Sequence, residues 1–551
     1  MRNSVRTLVL ALGLSAGLCN PTPGQSAPPG GGFETGASAP SSTTADHTSA
    51  PSSTTDLETE RHGRVLDRYA EDTWRSVRAM VVRRTGLPAD NVGGSLAGST
   101  RAAYTSPTNI GAYLWSTVAA RDIGLIRGRE AHRRMARTLD TVAGLERHDP
   151  SGMFYNWYSP TTGEKLRTFP DSGDPIKPFL SSVDNGWLAT ALLLVSRADP
   201  SLRHAADTIR DDMDFGCYYN AAEGNGGPVA GGQIRGGFWD EDPQDAAAVT
   251  GDYCGMGTHV WYTGHHYGAF NTEPRIASYL GIAAGQIPAK HYYGTFRTFP
   301  NDTCDWAWTE TRPVGEWRTY SVDGEDVEVF EGALPYRGRH IVPTWGGSMF
   351  EALMVPLFVP EETWGPRSWG RNHPLYVQGQ IEHGLEEAGY GYWGFSPSNN
   401  PAGGYREYGV DQLGLDAGTP EAGGYTSDQE RTVVDQPYEG CRDGSPAPTA
   451  YGDGVVTPHA SFLALRYAPR AALANLARIA RDFDAYGKGG FYDSVAVRSG
   501  QVSRRHLALD QGMVMAALGN ALAHDDMRRY VARGAMESTL RPLMEQEVFA
   551  R

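Results

Sequence analysis

The sequence predicts an all-α fold, a closed ring of helical hairpins whose long loops gather at one mouth and carry only a few short strands. Three observations predict it. About twelve stretches place apolar residues at helical spacing. Long Gly-, Pro- and aromatic-rich loops separate them, and no run of alternating strand pattern is sustained.

The helical stretches fall near 60–84, 108–124, 128–145, 186–198, 201–213, 274–285, 347–358, 377–389, 459–468, 470–484, 510–523 and 526–546. In the first, Leu66, Tyr69, Ala70, Trp74, Val77 and Val81 recur on one helical face. The loops 150–183, 215–272, 286–345 and 391–457 are long enough to imply function, because a structureless loop of that size is uncommon in a compact domain. One of them contains TYSVDGEDVEVF, a predicted hairpin turning at Asp323-Gly324.

Ahead of the ring, Met1, Arg2 and Arg6 form a positive start, and Leu8 to Leu18 is an apolar core too short to span a bilayer. Residues 1–19 are therefore expected to be a secretory signal, with Cys19 a candidate for lipid anchoring, although Leu18 stands where a lipobox wants a small residue. Residues 20–58 read as a Pro/Ser/Thr/Gly-rich linker with nothing to bury. The folded domain is expected over 59–551, secreted or held at the cell surface and acting as a monomer.

Composition narrows the chemistry. The 551-residue chain carries a net charge of −15, which disfavours nucleic acid because phosphate binding needs a basic face. Its 13 Trp and 27 Tyr could cover the apolar faces of sugars or simply pack the core. Beyond Cys19 there remain Cys217, Cys254, Cys304 and Cys441, an even count that allows two disulfides in three connectivities. Their wide spacing does not suit zinc, and no metal or cofactor is expected. HExxH, Walker-type, strand–GxGxxG–helix and GxSxG patterns are missing.

Two loop-to-helix junctions each deliver a carboxylate. Glu273 precedes Pro274 and Arg275, where a proline can open a helix. Glu351 follows Trp345-Gly346-Gly347-Ser348 and falls in a first helical turn. A helix dipole alone would explain either glutamate. As a pair among Trp, Tyr and Arg they suit glycosidic cleavage, which needs one carboxyl to protonate the leaving oxygen and another to activate water or attack the anomeric carbon. The histidines 259, 265 and 266 read as local hydrogen-bonding groups.

At these residues the chain resembles the glucoamylase-like domain family, which includes bacterial endo-β-1,2-glucanases and the C-terminal regions of cyclic β-1,2-glucan synthases. The resemblance rests on SPTNIGAYLWSTVAARDIGLI, SVDNGWLATALL, NTEPRIASYLGIAAGQIPAKHYY and TWGGSMFEALMVPL, followed by YGYWGFSPS, YREYGVDQLGL, VVTPHASFLAL, GGFYDSV and LALDQGMVMAALGNAL. It covers roughly residues 100–525. It implies an (α/α)6 toroid and glycosidase chemistry, with Glu273 as proton donor and Glu351 as base or nucleophile. Trp345, Trp187, Tyr267 and Trp393 are then expected to stack on sugars. Arg275, His340, Asp184 and Asn185 are expected to bind hydroxyls or orient the carboxylates. One departure stands out: relatives carry an aspartate five to seven residues before the first glutamate, where this chain has His265-His266-Tyr267-Gly268. Asp184 and Asp252 are the candidate substitutes.

The expected activity is an exported glycoside hydrolase on a β-1,2-glucan-like polysaccharide or oligosaccharide. The alternatives are a surface-tethered carbohydrate-binding protein that keeps the ring without catalysis, and a lyase or epimerase on the same scaffold.

Overall fold

The computed structural model describes residues 53–222, 231–298, 312–415 and 451–550. The predicted signal, most of the linker, Cys304 and Cys441 lie outside the described residues.

Fifteen helices follow in order: α1 Ser53–Met80, α2 Pro107–Asp122, α3 Gly128–Ala143, α4 Ser182–Ala198, α5 Arg203–Asp211, α6 Arg275–Ala283, α7 His291–Gly294, α8 Met349–Leu353, α9 Glu361–Trp364, α10 Trp369–Glu382, α11 Pro458–Leu463, α12 Pro469–Asp482, α13 Ala508–Leu522, α14 Asp526–Val531 and α15 Ala535–Gln546. Each of the twelve predicted stretches overlaps at least one. The first starts at Ser53, so the expected linker ends earlier than residue 58. The last stretch is two helices, interrupted where Gly534 takes φ +66°. Pro356 stops α8 early by passing the chain into a 3-10 turn over Val355–Leu357. The short α7 and α9 have no sequence signal of their own, since four residues cannot show a period.

The helices divide by how they are buried. In α2, α4, α6 and α13 nearly every residue is buried, whereas α3, α5 and α12 bury one stripe. A helix apolar all round needs partners on every side, and an amphipathic one covers it from outside. Contacts follow that logic: α2 packs on α4 and α13, α4 on α6, and α11 on α8 and α13. From outside, α3 backs α2, α5 backs α4, α15 backs α6, α10 backs α8, α12 backs α11, and α1 backs α13. Close approach uses glycine, as at Gly512, where an added Cβ would sit 2.7 Å from the Ala112 methyl.

Strands are more numerous than the sequence predicts, mostly two- to four-residue pairings inside the long loops, too short for alternation to register. Four of them, β1 Phe179–Ser181, β2 Gly237–Trp239, β3 Val249–Asp252 and β4 His259–Tyr262, make an antiparallel sheet in the order β1–β2–β4–β3. The predicted hairpin is present as β5 Val314–Val322 and β6 Glu325–Tyr336, with Val322 paired to Glu325. Asp323 and Gly324 both take positive φ, +51° and +83°, as a two-residue turn of that hand requires. A third strand, β7 Arg339–Ile341, pairs with the end of β6. Of the four cysteines, Cys217 and Cys254 are disulfide-bonded and close a segment that contains β2 and β3.

Candidate active site

The inner helices share a local design: each begins with a polar or ionisable group in or beside its first turn. These are Thr108 and Asn109 on α2, Asp184 on α4, Glu273 ahead of α6, Glu351 on α8, His459 on α11 and Asp510 on α13. A helix start has unpaired N–H groups and the positive end of the dipole, so it tolerates buried carboxylates that the helix middle would reject.

Glu351 is set by backbone geometry. Ser348 caps α8, accepting from the Glu351 N–H while the Glu351 carboxylate reaches back to the cap. Its Oε2 accepts from Gly346 N at 3.0 Å, Ser348 N at 3.3 Å and Ser348 Oγ at 2.9 Å. The turn that presents these donors needs Gly347, which sits at φ +75° with Val410 O only 2.1 Å from where a Cβ would be. The facing segment reciprocates through Gly409, whose Cβ would meet Gly346 O at 1.8 Å.

Glu273 lies beside it, and one hydroxyl joins the two. Thr272 Oγ1 is 3.1 Å from Glu273 Oε2 and 3.2 Å from Glu351 Oε1. All three residues are at most 5% exposed, so this contact is out of bulk water. Burial and the neighbouring Glu351 charge push Glu273 up to about 8. Burial also raises Glu351, but the donors from Ser348, Gly346 and Thr344 oppose it by favouring the ionised form. The pair is thus built asymmetrically, one carboxyl poor in donors and one rich in them.

Arg275 ties the two segments together instead of facing a ligand. Its Nη1 donates to Thr272 O at 2.8 Å and Glu351 O at 2.9 Å, and its Nη2 to Ala352 O at 2.8 Å. The remaining N–H groups form a fork on Glu361, at 2.7 and 2.9 Å. With five donors used internally, none is left for a sugar hydroxyl. Although burial works the other way, Arg275 and His373 pull Glu361 down to about 2.

Other predicted residues divide in the same way. Trp187 and Trp393 are fully buried, at 1% and 0% exposure, and cannot stack on a sugar. Trp187 instead packs edge-on against Trp115. Asn185 is spent on the backbone of Phe154 and Ser181. These three, with Arg275, correct the sequence expectation: each falls within a helix or core segment whose interior demands it. Tyr267 and Trp345 are half-buried; Trp345 rests on Ala269, Phe296 and Leu415 one residue before the Gly346 donor. Asp184 is half-buried, accepting from Thr108 Oγ1 at 2.5 Å and Asn156 Nδ2 at 3.0 Å. His340 is half-buried on β7, ahead of the segment leading to Trp345.

At one position of this departure, Gly268, there is a steric constraint. A Cβ at Gly268 would lie 2.4 Å from the Phe296 ring and 2.9 Å from the Gln233 amide, so the backbone here has no room for a side chain. Of the two candidate substitutes, Asp252 is exposed and holds Gly257 N at 2.8 Å, away from the glutamates. Asp184 stays with them: burial raises the Tyr267 phenol, and the charges of Glu273, Asp184 and Glu407 raise it further.

Sequence reasoning missed a second acidic group on the same side. Asp493 and Asp510 are buried against each other, with Asn399 N donating to Asp493 Oδ2 at 2.6 Å. Burial pushes Asp510 up to about 7 and Asp493 well above the usual carboxylate range, the latter helped by the Asp510 charge. His459 Nδ1 lies 3.2 Å from Asp510 Oδ2, and burial drives that imidazole down to about 4. The Tyr405 phenol feels Asp510, Glu407, Asp493 and Glu273 at once, which joins this group to the glutamate pair. The available signal was the recurrence of ionisable residues at helix starts, to which Asp510 belongs.

Comparison with known proteins gives consistent relatives. Residues 319–529 match a family model described as "Putative glucoamylase", and residues 68–226 match one described as "Protein of unknown function (DUF3131)". The chain is 25% identical to the cyclic β-(1,2)-glucan synthase NdvB of Rhizobium meliloti over 84% of its own length. It spans only 18% of that much longer protein. Among solved structures, the β-1,2-glucanase of Parabacteroides distasonis superposes with a TM-score of 0.60 at 14% identity, covering 88% of this chain and 60% of that one. The endo-β-1,2-glucanase of Chitinophaga pinensis, solved with sophorotriose and glucose, gives 0.55 at 14% identity over 88% and 97%. The resemblance read from the sequence is therefore borne out, and the fold is that of these glucoamylase-like neighbours.

Proposed function

We propose that the chain is an exported glycoside hydrolase that cleaves a β-1,2-glucan or a closely related glucan, with Glu273 as general acid and Glu351 as nucleophile. The six backed helices would close as an (α/α)6 toroid, with the helix starts lining the substrate mouth. The observation that carries the reading is the buried pair of glutamates joined through one hydroxyl, with surroundings that favour a proton on one and a charge on the other.

In this mechanism Glu273 gives its proton to the glycosidic oxygen as the bond to the anomeric carbon breaks. Glu351 bonds to that carbon. Water then attacks, the ester to Glu351 breaks, and Glu273 takes the water proton. Contacts of 3.1 and 3.2 Å to one atom hold the facing oxygens closer than the about 6.5 Å at which an inverting pair begins, which favours retention. Trp345 and Tyr267 would cover sugar faces, and Asp184 would bind hydroxyls in place of the missing aspartate. The relatives' named substrates support the β-1,2 linkage.

Export accords with the N-terminal signal pattern and with the Cys217–Cys254 disulfide, which persists in an oxidising compartment. Anchoring through Cys19 and action as a monomer complete the proposal.

The test is product formation from β-1,2-glucan and a panel of other linear glucans, with the product anomer read by NMR. Wild type should release new reducing ends as the retained anomer. Glu273→Gln and Glu351→Gln should each lose at least about 100-fold in kcat. Binding without turnover by wild type would leave a carbohydrate-binding protein, and full activity in both variants would reject the site.

A further inference from the structure

Thr272 contributes no group that could reach an anomeric carbon, yet its hydroxyl contacts both glutamates. Its position is fixed independently of either carboxylate, because Arg275 holds the Thr272 carbonyl from Nη1 at 2.8 Å and from its backbone N–H at 3.2 Å. The same Nη1 holds the Glu351 carbonyl at 2.9 Å, so the spacing between the hydroxyl and Glu351 is clamped through the backbone.

A hydroxyl has one proton to donate and lone pairs to accept with. When Glu273 carries a proton and Glu351 a charge, Thr272 Oγ1 can accept from the first and donate to the second, and all three groups are satisfied. When both carboxyls are ionised, one of them must go without the hydroxyl proton. When both are protonated, the donation to a charge is lost, and hydrogen bonds to charged groups are the stronger ones.

Resting on the assignment of Glu273 and Glu351 to catalysis, we propose that Thr272 is a positioning residue whose hydroxyl proton follows the negative charge between them. In the resting pair it points at Glu351. Once Glu351 is bonded to the sugar it is neutral and Glu273 is ionised, and rotation of the hydroxyl delivers the same proton to Glu273 Oε2. Hydrolysis of the ester returns the charge to Glu351 and the hydroxyl turns back. The hydroxyl proton never leaves its oxygen, and the one proton exchanged with substrate and water is that of Glu273.

The consequence is a window of pH in which the pair holds one proton, wider than two buried carboxyls would keep unaided. Thr272→Val removes the hydroxyl and keeps the side-chain shape, and Thr272→Ser restores the hydroxyl. In the valine variant the acid limb of the pH–kcat/KM profile should rise and the alkaline limb should fall, each by about one pH unit. The serine variant should return both limbs to the wild-type positions.

A uniform loss of rate with both limbs unmoved would overturn the proposal, because it is what a packing role gives. The companion measurement is NMR titration of carboxyl carbons in protein labelled with 13C-glutamate, using Glu273→Gln and Glu351→Gln for assignment. Two separated titrations in wild type that close together in the valine variant support the proposal even if no glucan is cleaved; in that case the hydrolase reading alone has failed. Titrations unchanged by the substitution reject the role of Thr272 whatever the activity.

Discussion

At the scale of single residues, the sequence showed where carboxyls would sit but not what surrounds them. Glu273 and Glu351 were legible because each stands at a loop-to-helix junction beside Pro or Gly-Gly. Arg275, Trp187, Asn185 and Trp393 carry residue types that suit sugar binding, and only three-dimensional burial reveals that their functional groups are occupied. Asp493 and Asp510 were invisible for the opposite reason: they are seventeen positions apart in chain order, and nothing in their spacing says that they meet. A titration argument belongs at this scale. Glu331, raised to about 8 by burial and then by the Glu547 charge, keeps in the fold a proton that the unfolded chain loses near pH 4.5. Native protein therefore binds more protons than unfolded protein between those values, and its contribution to stability is full below about pH 4.5 and disappears as pH rises toward 8. Melting temperature should fall across that window, and Glu331→Gln should flatten the slope.

Among the elements, helices were read well because all-round burial and single-stripe burial both leave long patterns. Short strands were not, since a two-residue pairing such as Ser398–Asn399 with Tyr405–Arg406 is decided by the opposite strand. The Gly346-Gly347 turn is an element-level device: it lets two backbones touch, and Ser348 and Glu351 follow from it. Gly347→Ala would put a methyl within 2.1 Å of Val410 O and force φ from +75°. It should cost about 1–3 kcal/mol of stability by denaturant titration. It should also reduce kcat at least about tenfold, because the donors to Glu351 Oε2 move with the turn.

For the whole molecule, one buried cluster ties the end of the chain to its middle. Arg297 meets Glu331 at 3.3 Å and pairs with Glu547, while Tyr292 OH donates to Glu547 at 2.7 Å and Tyr320 OH to Glu331 at 2.8 Å. The side chains of Arg297, Glu331 and Glu547 all have 0% exposure. Arg297→Met would leave the negative charge of the buried Glu547–Glu331 pair without a cation and should cost about 3–5 kcal/mol by thermal or denaturant unfolding. Glu547→Gln leaves Arg297 with one carboxylate and should cost clearly less. Little of this was legible beforehand, because Arg297, Glu331 and Glu547 are brought together from three distant segments.

The packing of α1 and α2 on α13 has a temporal consequence. The faces of α1 and α2 that pack on α13 stay uncovered until residues 508–522 have been made, and Arg297 has no Glu547 partner before residue 547. A chain emerging in order can pack α2 on α3 and α4 early, but it cannot complete this core until α13 is present. Completion of the core therefore rests on sequence-distant contacts, which form late and slowly.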